Sequence, residues 1–112
     1  MNFFNLKPMA APDKKADLLR TKLNLETAQM PWQELQRFFA AGKVILVSDQ
    51  LDLVDVAASI SNDDTARVSQ WLSEQRIARV TDAQAAAWLE ADAALWTVVV
   101  SPWILVQQEK PA

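Results

Sequence analysis

The chain has no cysteine, no histidine and no tyrosine, and a single glycine among its 112 residues. Without cysteine or histidine it has no disulfides, no thiolate or imidazole metal ligands, no thiol nucleophile and no histidine-based triad. One glycine excludes the glycine-rich loops that cradle phosphates, and it implies that very few backbone positions need a positive φ. Chemistry would have to rest on carboxylates, lysine, arginine and hydroxyls, and no nucleophile motif joins them. The expectation is a non-enzyme with no cofactor and no bound metal.

Long apolar runs are missing too. The longest, Leu95 to Val106, is interrupted by Ser101-Pro102 and falls short of the roughly 20 residues that span a bilayer. The start, "MNFFNLKPMAAPDKK", has no basic region followed by an apolar core, so no secretory leader is expected. Together these absences predict a soluble, cytoplasmic protein with no membrane partner.

What is present suits a folded domain. Apolar residues make up 51% and charged residues 22%, with five Trp and four Phe, a globular composition in a length that fits one core. The net charge of −3 is unevenly spread. Residues 1–23 hold five basic side chains (Lys7, Lys14, Lys15, Arg20, Lys22) and two acidic ones (Asp13, Asp17), a net +3, so the remainder carries −6.

Residues 1–12, with two prolines and no periodic pattern, read as a mobile arm before a compact domain over 13–108 and a tail at 109–112. Asp13 can cap a helix with the stripe Ala16, Leu19, Leu23 and Thr27, which Pro31 ends. Pro31 then opens a second helix with Trp32, Leu35, Phe38 and Phe39 on one face, closed by Gly42 as a left-handed cap. "KVILVS" is a continuous branched run and reads as a central strand.

A third helix, capped by Asp52, turns Leu53, Val56, Ala57 and Ile60 inward. "SNDD" breaks it, and Asn62 or Asp63 caps a fourth with Val68, Trp71 and Leu72 inward. "RIARV" reads as a second strand. Thr81 with Gln84 has capping-box spacing and opens a short alanine-rich helix carrying Trp88 and Leu89. "LWTVVV" and "WILVQ" form a strand pair or one bent strand, with Pro102 at the bend or an edge.

From Pro31 onward, leaving out the helix at 82–91, the order is helix, strand, helix, helix, strand, strand. That order predicts an α+β, winged-helix-like fold: a three-helix core with a small, mainly antiparallel sheet. An N-terminal helix and a short extra helix before the last strand complete it.

The helix-turn-helix at 53–76 raises the question of DNA. Its second helix would present Asp63 and Asp64 to the bases, and from Asp49 to Glu74 six acids face a single Arg67. Such a face approaches a polyanion against its field. A DNA-binding regulator, the alternative reading, would therefore depend on Lys14, Lys15, Arg20, Lys22, Arg67, Arg76 and Arg79.

The carboxylates Asp52, Asp55, Asp63 and Asp64 could hold a hard cation, but helix capping explains them more simply. Glu90 and Asp92 lie near Trp88 and Trp96, where a pocket could tune one carboxylate. The tryptophans point elsewhere. Trp96 and Trp103 lie in terminal strands whose two faces are both rich in branched residues, so each sheet face needs a cover. The first helix, through Leu19 and Leu23, or a second subunit could supply one, and aromatic and branched residues make interface anchors. The leading expectation is a protein-interaction module that self-associates, with Trp96, Trp103, Leu19 and Leu23 at its interface and a second copy or another protein as partner.

Three stretches, "LNLETAQMPWQELQRFFAAGKVILV", "LDLVDVAASISNDD" and "VVVSPWILVQ", resemble the small bacterial DUF2288 family, whose function is unknown. The Trp-x-x-Leu after Pro31 and the Pro102-Trp103 pair before the final strand are the most specific features. The resemblance implies a bacterial cytosolic protein and brings no activity, cofactor or site residue with it.

Overall fold

The computed structural model describes residues 7–109, with side chains described for 17–109. The elements are α1 (Lys7–Glu26), β1 (Ala28–Pro31), α2 (Trp32–Ala40), β2 (Val44–Val47), α3 (Leu53–Ser61), α4 (Thr65–Ser73), β3 (Ile77–Arg79), α5 (Asp82–Glu90), β4 (Ala94–Val100) and β5 (Trp103–Gln107). Over the described residues the chain is thus α+β, with five helices and a five-stranded mixed sheet.

The sheet order is β1-β4-β5-β2-β3. Three pairings are antiparallel, and the β2–β5 pair near the centre is parallel. Strand alternation then builds two cores. Leu105, Val47, Ile77, Val98 and Val100 face one way, onto Leu23 of α1, the inner side of α3, and Trp71 of α4. Ile104, Val106, Val44 and Leu95 face the other way, onto Trp32 and Leu35 of α2 and Trp88 of α5. The Trp32 ring meets Trp88 edge-on at 5.0 Å between centroids, a preferred aromatic geometry.

A winged-helix likeness is not confirmed. That arrangement needs α2, α3 and α4 around one core, whereas α2 packs with α5 on the opposite side of the sheet. Both sheet faces are apolar, and one helical layer could not cover them. The sheet is therefore the middle of three layers.

Local chemistry sets the boundaries. The first helix starts at Lys7 rather than Asp13 and ends at Glu26. Thr27 donates its hydroxyl back to the Leu23 carbonyl at 2.7 Å, and Ala28–Pro31 then adds an edge strand to β4, for which the sequence carried no periodic signal. Pro31 caps α2 from outside, in extended backbone, instead of opening it. Pro102 sits in the turn between the antiparallel β4 and β5 and not within a bent strand.

Four helices end in the same way. Gly42, Asp63, Gln75 and Asp92 follow α2, α3, α4 and α5 with φ of 74°, 57°, 60° and 52°. Each donates its N–H to the carbonyl three back, and the next residue donates to the carbonyl five back. This pair of hydrogen bonds closes a Schellman cap. The expectation that one glycine meant very few positive-φ positions is therefore corrected, because Asp63, Gln75 and Asp92 adopt the conformation without it.

Candidate functional site

The α3–α4 corner is built from "SNDD". Asn62 and Asp63 end α3. Asp64 donates its N–H to the Ser59 carbonyl at 2.9 Å, and its carboxylate accepts the N–H of Arg67 at 3.3 Å. Asp64, rather than Asn62 or Asp63, is thus the cap of α4, since the other two already close α3. One residue both ends a helix and starts the next, so the corner is tight and α4 swings out over the sheet edge.

That swing leaves a groove of about 400 Å³ between α4 and the β2–β3 edge. Its floor is Ile45, Ile77 and Trp103, all on one sheet face by alternation, and its walls are Ile60, Val68 and Leu72. Asp63, Asp64, Thr65, Ser69 and Arg79 add the polar lining. Trp103 is half-buried and Leu72 is 51% exposed, so water reaches apolar groups that the fold itself leaves uncovered. The volume lies within the range of ligand-sized sites.

The four expected interface residues separate. Trp103 lines the groove. Leu23 is buried beneath α1, while Leu19 and Trp96 pack half-buried against the same core. The sequence placed Val68, Trp71 and Leu72 together on an inner face, but only Trp71 is fully buried, and Val68 and Leu72 form the groove wall. Ile45, Val68 and Leu72 as a surface over the buried Ile77 were missed. The signal was present in the branched residues on both faces of β2, which require more cover than one short helix gives.

The described basic residues fall into pairs rather than one patch, Arg20 with Arg67 and Arg76 with Arg79. Arg20 of α1 and Arg67 of α4 both bind Asp55 of α3, Arg67 at 2.7 Å. Arg67 also lies 4.7 Å from the Trp71 ring centre, a cation–π position. Burial would raise the Asp55 pKa, but the hydrogen bonds and charges of Arg67 and Arg20 outweigh it and hold the carboxyl below the usual range. Arg76 pairs with Glu74 at 3.1 Å, Arg79 lines the groove, and Lys22 borders a shallow hollow with Leu19 and Glu26. Lys14 and Lys15 fall outside the residues whose side chains are described.

The acids are equally dispersed. Asp52 caps α3, accepting the Val54 N–H at 3.0 Å, and Asp55 is the hub of the two arginines. Glu90 and Asp92 are exposed at the end of α5. Among the described residues no three of His, Cys, Asp and Glu converge to hold a metal, and no helix is long and apolar enough to cross a membrane.

Among solved structures, the chain is similar to the NMR solution structure of PA1075 from Pseudomonas aeruginosa. The two share 43% identity over 82% of this chain and 85% of that one, with a TM-score of 0.72. No curated protein matches. The family profile described as "Protein of unknown function (DUF2288)" matches residues 18–108, which takes in the whole groove and every element from β1 to β5. The chain belongs to the DUF2288 family.

Proposed function

We propose that the protein is a non-catalytic interaction module that self-associates, and that the groove between α4 and the β2–β3 edge is its binding surface. The observation that carries this reading is the groove's composition. Ile45, Ile77, Val68, Leu72 and Trp103 make a continuous apolar floor and wall, edged by charge. A half-buried tryptophan in an open apolar cleft is the usual form of a protein-binding anchor. The compartment that suits such a protein is the cytoplasm, consistent with a chain free of cysteine.

The alternative, a DNA-binding regulator, draws less support. It needs free cations on one face, and Arg20, Arg67 and Arg76 are each engaged by a carboxylate. An enzymatic reading fares no better, because the groove's acids are the corner residues Asp63 and Asp64, and Asp64 is committed to capping α4.

NMR spectra recorded through a wide dilution series test the proposal. The Trp103 indole signal and the amides of Val68, Leu72 and Ile77 are expected to move together with concentration. If these signals stay fixed while resonances elsewhere shift, the groove is not the binding surface.

A further inference from the structure

The outer side of α1 presents what the groove lacks. Leu18 and Leu25 are 69% and 79% exposed, and seven residues are nearly two helical turns, so they share one stripe. Lys22 lies on that same side, one turn after Leu18. The inner stripe, Leu19 and Leu23, is already packed on the body. The packed Leu19 and Leu23, with the Arg20–Asp55 ion pair beside them, set the rotation of the helix, which turns the outer leucines away from the body. Charge adds to this: Lys22 gives the stripe a cation, and the groove's charged lining, Asp63, Asp64 and Arg79, is net negative.

We infer that these surfaces meet across two copies. The stripe Leu18, Lys22, Leu25 of one α1 lies in the groove of a second copy against Leu72 and Trp103, with Lys22 beside Asp63, and a two-fold axis returns the contact. This rests on the reading of the groove as a binding surface and names its occupant. The helix, about 30 Å long at 1.5 Å per residue, is long enough to lie along the groove. A two-fold axis makes each pairing twice, so every contact across it counts double. Opposed charges at the rim set register and orientation rather than supplying most of the affinity.

The absence of native cysteine makes the test direct. Copies bearing Leu18→Cys or Leu25→Cys are mixed with copies bearing Leu72→Cys and oxidised gently. The expected result is that at least one mixture gives mainly the mixed disulfide, which requires Cα atoms within about 7 Å. In parallel, Lys22→Glu is expected to weaken the dimer by about tenfold and Asp63→Lys to restore it in the double variant, with circular dichroism confirming that each variant is folded. A dimer that Leu72→Asp disrupts, but that forms no mixed disulfide and ignores Lys22→Glu, would overturn this pairing and leave the groove itself standing. A dimer untouched by Leu72→Asp as well would overturn both.

Discussion

At the scale of single residues, Asp55 joins three helices through charge. It receives Arg20 from α1 and Arg67 from α4 while standing on α3, so three elements depend on one carboxylate. Its folded pKa lies below its unfolded value, so its contribution is fully present above the unfolded value of roughly 4 and is lost as pH falls through the folded one. Both arginines are nearly half exposed, which limits the gain through solvent screening. Asp55→Asn is therefore expected to cost about 1–2 kcal/mol at neutral pH and to flatten the loss of stability in acid. Urea unfolding at pH 7 and pH 3 checks this, and an equal loss at both values would contradict it. Gln107 plays a similar part at the end of β5: fully buried, it donates to the carbonyls of Ser48 and Leu51 at 2.8 and 2.6 Å and ties that strand to the loop before α3.

At the scale of elements, much was legible from the sequence and the exceptions have physical causes. Asp52 and the Thr81–Gln84 pair cap α3 and α5 as their spacing predicts, because capping is local and depends on residues within one turn. The strands at Val44–Val47 and Trp103–Gln107 announced themselves as branched runs. The edge strand β1 did not, since four residues ending in proline owe their conformation to β4 and not to their own pattern. The side of the sheet chosen by α2 was also hidden, because an apolar stripe says that a helix packs but not onto which face. The three left-handed caps without glycine follow the same logic: Asp63 and Asp92 tolerate that region, whereas Gln75 is strained there. Gln75→Gly is expected to stabilise the protein by about 0.5–1 kcal/mol, read as a raised midpoint in thermal unfolding. A lowered midpoint would show that the Gln75 side chain makes a contact worth more than the strain it carries.

At the scale of the whole molecule, the groove follows from how the layers are filled. Helices α1 and α3 cover the β4 side of one face, and α4 alone must cover the β2–β3 side. Nine residues of helix turned by the tight Asp64 corner leave Ile45 and Trp103 partly reachable from solvent above the buried Ile77. The radius of gyration, 16.2 Å, exceeds the ~13 Å expected of a compact chain of this length, in keeping with a long α1 that packs chiefly on α3 and β4. The chain thus joins a basic leading helix to an acidic body with an open apolar groove. Trp103, expected from its strand to need a cover, lines the groove half-buried. Leu72 was not expected there, because helical spacing grouped it with Trp71 and only the position of α4 over the sheet edge separates the two.

The central claim is that the groove is where this protein binds. Sedimentation of the wild type and of Leu72→Asp, each across a broad range of dilution, tests it most directly. Since Leu72 is half exposed, the substitution leaves the fold intact. The account predicts a concentration-dependent dimer for the wild type and a monomer for the variant at every concentration, whereas indistinguishable profiles for the two proteins would contradict it.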